Sequence, residues 1–293
     1  KVGRRSAEIV TMAYDYSIIE HRAVRYDYPD FENLRDKLTE IARELIEALP
    51  HQQAQAIQGV GLAIPDALWS WESSIGAPKG AMDNWREANL RHVLEEALGL
   101  EILEMNDATA ASLASLRLGA GKHVSSMVYL YVGTFVGGGI TFGDQVFEGP
   151  SGNAGAIGSL PTRLSAEATP GQLLDHASLH ALEMAFREQA LDVDLLYTGT
   201  LSDEALQVFD TWKIRAADAI AFAALSGQAF LDPDAVVLDT SLSPKLRTAL
   251  VDAANSALEA YDSRGLRVLG ITPCEVGIHA RSLGSALLPF KSE

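Results

Sequence analysis

The order of apolar and polar positions divides the chain into alternating extended and helical stretches. Lys1–Tyr28 contains two β-branched segments, SAEIVTMAYD and SIIEHRAVRYDYP, which predict two or three antiparallel strands. Phe31–Leu49 then places Leu34, Leu38, Ile41, Leu45 and Leu49 on one face of a helix. Ile57–Ile64 reads as a short buried strand ending at Pro65-Asp66, followed by a loop with Trp69 and Trp71 and a helix from Trp85 to Leu98 closed by Gly99. Glu101–Glu104 predicts another strand, and Asn106-Asp107 opens a helix that stops at Gly119.

The pattern restarts at Ser125–Ser159. Two apolar runs, Met127–Val132 and Gly139–Phe142, flank Gly133, Gly137, Gly138 and Gly139, and a second set follows at Gly149, Gly152, Gly155 and Gly158. A turn this rich in glycine either brings backbone amides close to a ligand, as phosphate loops do, or makes a tight bulged hairpin. Helices are predicted over Gln172–Ala190, Asp203–Phe230 and Pro244–Tyr261, with strands at Asp234–Asp239 and Arg267–Ile271 and a closing small-residue segment, Gly277–Leu288. Strands precede helices in both halves, which predicts an α/β protein of two lobes with a cleft between them. The expected division is residues 1–115, with 276–293 returning to them, and residues 116–275.

Composition narrows the function. At 293 residues, 47% hydrophobic and 21% charged, the chain is globular and large enough for two lobes. No run approaches the roughly 20 apolar residues that span a bilayer, and no signal peptide opens the chain, so a cytoplasmic protein without a membrane partner is expected. The net charge of −16 repels nucleic acid. The lone Cys274 excludes an internal disulfide and a cysteine-rich zinc site, and it reads as a packed residue. His176 and His180 lie one turn apart on a predicted helix, but without a third ligand they read as ordinary helical histidines, and no metal site is expected. The first residue is Lys1 rather than methionine, from which a preceding segment is expected.

The series GVGLAIP (59–65), NDATAASLASLRLGAG (106–121), VGTFVGGGI (132–140), EGPSGNAGAIGS (148–159), DPDAVVLD (232–239) and EVGIHARSLGSALL (275–288) resembles the ROK family of sugar kinases and sugar-responsive transcriptional repressors. The resemblance spans nearly the whole chain and implies a two-lobed, actin-like (ribonuclease-H-like) fold. It implies that Asn106 and Asp107 bind a sugar and, in a kinase, that Asp107 is the general base. A carboxylate at a helix N-terminus suits that role.

The kinase motifs are altered. The family's opening Asp-x-Gly-Gly-Thr corresponds to Lys1-Val2-Gly3-Arg4-Arg5, which puts Lys1 where a metal-organising aspartate belongs. Gly3, Arg4, Gly133, Thr134, Gly137 and Gly138 are then remnants of nucleotide loops, and Phe135 stands where the second loop should be bare backbone. Asp239-Thr240 replaces a Gly-Gly pair beside the adenosine site, and Ala156-Ile157-Gly158-Ser159 replaces Glu-x-Gly-His. The family's zinc loop corresponds to Gly171-Gln172-Leu173-Leu174, so no zinc is expected. A hydrogen bond to a charged group contributes roughly 1.5–3 kcal/mol, and the lost sugar ligands together cost on the order of 4–8 kcal/mol unless others replace them. Asp66, Asn84, Asn153 and His279 are the polar candidates.

The leading expectation is the sugar-sensing, dimerising part of a ROK-family regulator, with no cofactor, reaching DNA only through an N-terminal winged helix outside this sequence. A dimer at least is expected, since the family self-associates and palindromic operators need two-fold symmetry. The alternative is a divergent sugar kinase using ATP and magnesium, with Asp107 as base and Arg4 or Arg5 gripping phosphate. A scaffold with an empty cleft is the third reading.

Overall fold

The computed structural model describes residues 1–73, 75–143, 145–162, 171–277 and 279–290. It divides into two compact units, Lys1–Ala114 with His279–Glu293, and Ser115–Ile278.

In the first unit, β1 (Ser6–Met12) and β2 (Ile18–Arg25) form an antiparallel pair, with Val10 opposite His21. Helix α1 (Phe31–Ala48) starts where the Asp30 side chain accepts the Asn33 amide, and it buries Phe31, Leu34, Leu38 and Leu45. It ends at Leu49, which is extended before Pro50; a short α2 (His51–Gln55) follows. Strand β3 (Val60–Ile64) runs parallel to β4 (Ile102–Asn106).

The helix expected from Trp85 to Leu98 is two helices, α3 (Asn84–Glu87) and α4 (Leu90–Leu98). Ala88 is extended, and the Asn89 side chain accepts the His92 amide, so a new cap interrupts an otherwise helical pattern. Trp85 packs in the core, its indole N–H donating to the Pro29 carbonyl at 2.6 Å and its ring meeting Phe31 edge-on. Helix α5 (Asp107–Leu118) follows β4 without a loop, and the boundary between the units falls inside it.

The second unit is built on a five-stranded sheet. Strand β5 (Ser126–Val132) is flanked by antiparallel β6 (Val136–Phe142) and by parallel β10 (Ala235–Thr240). Strands β7 (Gln145–Phe147) and β11 (Ile271–Pro273) are its edges, and a two-residue pair, β8 (Pro161–Thr162) with β9 (Gly171–Gln172), stands apart. The final strand begins four residues later than the apolar run Arg267–Ile271 predicts. Gln228 Oε1 accepts the Leu269 amide, and the Asn255 side chain bonds both polar groups of the Ile271 backbone, so ladder pairing starts only there.

Gly137, Gly138 and Gly139 lie within β6, opposite Tyr131, Leu130 and Tyr129, and the turn itself is Gly133-Thr134-Phe135. A second backbone segment lies on two of them and on Val136 beside them: a Cβ on Gly138 would sit 2.9 Å from the Gly155 carbonyl oxygen, one on Gly155 would sit 2.8 Å from Gly139 Cα, and one on Gly158 would sit 2.1 Å from the Val136 carbonyl oxygen. The two glycine sets therefore serve each other's packing.

The helix expected over Gln172–Ala190 also breaks, into α6 (Leu173–Ala177) and α7 (Leu179–Glu188). Ser178 ends one and caps the other by accepting the Ala181 amide. His176 and His180 consequently sit on different helices and are not the one-turn pair that the spacing suggests. A short α8 (Leu195–Thr198) leads to α9 (Asp203–Leu231), whose alanine-rich face joins the core formed by β5, β10 and α10 (Pro244–Glu259). Helix α9 is long and apolar enough by composition to cross a membrane, a property that the count of consecutive apolar residues missed, and half of its most apolar window is buried in the protein. The last helix, α11 (Ala280–Leu287), belongs to the first unit.

Candidate functional site

The direct passage from β4 into α5 sets the first group of side chains. Asn106 Oδ1 accepts the amides of Ala108 at 3.0 Å and Thr109 at 3.3 Å, serving donors that the first turn leaves unpaired. Asp107 is 8% exposed, and its Oδ2 receives Arg281 Nη1 at 3.4 Å. Helix α11 carries Arg281, and two glycines hold that helix in place. A Cβ on Gly284 would lie 1.7 Å from the Ala110 carbonyl oxygen, and one on Gly61 would lie 1.6 Å from that of Ser285. Backbone contact at both points seats α11 against β3 and α5.

A second group gathers around Glu8. Its Oε2 lies 3.2 Å from His21 Nε2, 3.2 Å from His279 Nδ1 and 3.1 Å from Ser282 Oγ. Its Oε1 receives the Lys1 ammonium at 3.3 Å. Burial by itself raises the Glu8 carboxyl, but the Lys1 charge and the hydrogen bonds from His279, His21 and Ser282 outweigh it and hold the group at about 2. The Lys1 ammonium is lowered to about 8, first by burial and then by Arg281, with Glu8 opposing.

Beside Lys1, whose ammonium also donates to Ser6 Oγ at 3.3 Å, Gly3 and Ser6 close a tight turn, the Gly3 amide donating to the Ser6 carbonyl at 2.9 Å while Tyr26 OH donates to the Gly3 carbonyl at 2.7 Å. The turn's arginines have partners: the Arg4 guanidinium lies 5.1 Å from the Trp71 ring centroid, and Arg5 Nη2 donates to the Ile75 carbonyl at 3.4 Å. Asp66 is exposed, with Oδ1 on the Ala67 amide at 2.9 Å. Asn84, in the first turn of α3, and Asn153, in a loop of the second unit, are exposed too. A cavity of about 470 Å³ within the first unit is lined mainly by apolar side chains such as Ile9, Leu38, Leu45, Leu94 and Phe290, an unsuitable surface for a sugar's hydroxyls.

In the second unit, the Gly133 amide donates to the Phe135 carbonyl at 3.0 Å, and the carbonyls of Gly133 and Thr134 accept the first amides of α7. Phe135 is buried, its ring 5.9 Å from that of His180. Asp239 is buried as well; its Oδ2 accepts from Tyr129 OH at 2.7 Å and its Oδ1 from the Thr240 amide at 2.8 Å. Gly171, Gln172, Leu173 and Leu174 pass from β9 into α6 and offer neither sulfur nor imidazole, so they do not fit a four-ligand zinc centre.

Residues 1–291 match the ROK family. The chain belongs to that family. It is 28% identical over 130 residues to a xylose repressor of Caldicellulosiruptor bescii, covering 44% of this chain and 32% of the repressor. Among solved structures, a ROK family glucokinase from Streptomyces griseus in complex with glucose and AMPPNP superposes with a TM-score of 0.73 at 18% identity, over 98% of this chain and 96% of that one. A ROK family transcriptional regulator, a homologue of the Escherichia coli MLC protein, superposes with a TM-score of 0.68 at 16% identity, over 99% of this chain and 76% of the regulator. The fold is thus the mixed α/β, actin-like (ribonuclease-H-like) fold of the ROK proteins. Both regulators and sugar kinases stand among its relatives, and the chain spans about a third of the length of curated relatives such as two xylose repressors and a glucokinase.

Of the residues singled out in the sequence, Asn106 and Asp107 adjoin at one helix start, and Gly3 and Arg4 share one turn. Glu8, His21, Arg281 and Ser282 were not singled out. The available signal was the run His279-Ala280-Arg281-Ser282, a polar interruption in an otherwise small, apolar segment.

Proposed function

We propose that this chain is the effector-sensing and self-associating part of a ROK-family transcriptional regulator, which takes a sugar or sugar derivative through Asn106 and Asp107 and transfers no phosphate. The observation that carries the reading is Lys1. The resemblance assigns its position to a metal-organising aspartate, whereas here a buried ammonium is held 3.3 Å from Glu8. An ammonium in that position supplies no carboxylate oxygen for the magnesium ion that phosphoryl transfer needs. Three features of the second unit support the same reading: Gly133 donates its amide within its own turn, Phe135 fills the place of bare backbone, and Asp239 is bonded to Tyr129.

A regulator of this kind works in the cytoplasm as a dimer, and DNA is bound by a winged-helix segment outside the 293 residues. The MLC homologue extends beyond the part this chain covers, which suits such an arrangement. Sugar binding then biases a two-state protein toward or away from the DNA-binding form.

The test is a thermal-shift screen with pentoses, hexoses, aminosugars, sugar phosphates and ATP-Mg²⁺, repeated on Asp107→Ala. One class of sugar raises Tm in the wild type, and the variant binds it about 10- to 100-fold more weakly, as loss of a charged hydrogen bond requires. Steady ADP release with a hexose, abolished in Asp107→Asn, would establish the kinase instead. Silence across the panel would leave a scaffold.

A further inference from the structure

Glu8, His21 and His279 come from β1, β2 and the residue preceding α11. Because Val10 pairs with His21, the Glu8 and His21 side chains emerge on one face of the hairpin as diagonal neighbours. The two imidazoles meet edge to face at 4.8 Å between centroids, and each points a ring nitrogen at Glu8 Oε2 from 3.2 Å.

We propose that these three side chains form a binding site for a divalent transition-metal ion of the zinc class, through Glu8 Oε2, His21 Nε2 and His279 Nδ1. All three donor atoms lie within 4.8 Å of one another. Ligands about 2.1 Å from a tetrahedral ion are separated by about 3.4 Å, so two of the three separations already fit, and a small tilt of the rings closes the third. Two imidazoles and a carboxylate suit zinc, cobalt or nickel better than magnesium or calcium. Lys1 lies on the opposite oxygen, Oε1, where it fixes the carboxylate without entering the site. Ser282, which donates to Oε2, orients that same oxygen from outside the ligand set.

The His21 and His279 side chains are 32% and 43% exposed, so an ion has an entry path and keeps one position open to solvent. Bound there, it joins the hairpin to the start of α11, the helix that carries Arg281 to Asp107. The site uses neither Asn106 nor Asp107, the residues proposed to hold sugar, although it takes up His279, one of the polar candidates read from the sequence, and it stands whether or not that reading does.

The experiment uses the full chain, freed of metal with a chelator and titrated with Zn²⁺ by calorimetry and with Co²⁺ by visible absorption. One equivalent binds, the cobalt form shows tetrahedral or five-coordinate bands, and zinc but not magnesium raises Tm. His21→Ala and His279→Ala each weaken zinc binding at least tenfold while circular dichroism stays unchanged. Either variant alone decides the matter, so a failure of one to fold leaves the other as the test. No saturable zinc binding by the wild type, or equal affinity in a folded imidazole variant, overturns the proposal.

Discussion

The Tyr129 hydroxyl donates to Asp239 Oδ2 at 2.7 Å, joining the neighbouring parallel strands β5 and β10 deep in the second unit. Both side chains are almost wholly buried, and burial together with the Asp239 charge pushes the tyrosine well above its ordinary range. Tyr129 is therefore a permanent donor. Tyr129→Phe leaves a buried carboxylate oxygen short of a hydrogen bond, and the expected loss is about 1–3 kcal/mol of unfolding free energy. Urea denaturation checks it; an unchanged midpoint at equal slope would mean that the bond contributes nothing.

Cys274 lies beside the same aspartate. Burial first, and then the Asp239 charge, raise its thiol above the ordinary value of 9.0. A thiol raised in the folded state holds its proton more tightly there than in the unfolded chain. Its contribution to stability is full below pH 9 and is lost as pH rises through the folded value. Thermal unfolding followed from pH 8 to 10.5 falls more steeply in the wild type than in Cys274→Ala. In the same range, a thiol reagent labels the native protein far more slowly than the protein in urea.

Gly61 and Gly284 carry the tightest approaches in the first unit, with hypothetical Cβ positions 1.6 and 1.7 Å from carbonyl oxygens. Neither oxygen is the end of a flexible side chain, so α11 has to move bodily. Gly61→Ala and Gly284→Ala each cost about 3 kcal/mol or more, at the upper end of overpacking effects. Gly265→Ala serves as the comparison: its site is open but its φ is +91°, so its cost is backbone strain alone, about 1 kcal/mol. Melting temperatures that fail to separate the two cases would show that α11 is not seated as described.

What the sequence made legible is what local patterning determines. Helix α1 was readable from Leu34, Leu38 and Leu45, and the start of α5 from Asn106-Asp107, because spacing and capping are properties of neighbours along the chain. The breaks at Asn89 and Ser178 were hidden for a related reason, since each interrupts a pattern of apolar positions that continues across it. The glycines of β6 read as a turn because nothing in the sequence reveals that Gly155 lies on Gly138 and Gly139, and Gly158 on Val136 beside them. The Glu8 cluster was out of reach altogether: His279 meets Glu8 across 271 positions, and neither lies in a motif that names the other.

The Arg281–Asp107 pair connects the last helix to the candidate sugar residues, and its worth is measurable. Both side chains are largely buried, at 20% and 11% exposure, so solvent screens the 3.4 Å contact less than it would a surface pair. Removing the arginine alone strands a buried carboxylate, while removing both groups relieves it. Arg281→Met is therefore expected to destabilise the fold more than the double variant Arg281→Met/Asp107→Asn does, with a coupling of about 1–3 kcal/mol between the two positions. The same substitution frees Asp107 from its fixed direction and weakens sugar binding, whereas the double variant binds no more weakly than Asp107→Asn alone. Additive losses in stability would dissolve the pair as a unit. A sugar affinity unchanged by Arg281→Met would separate the orientation of Asp107 from the helix that α11 contributes.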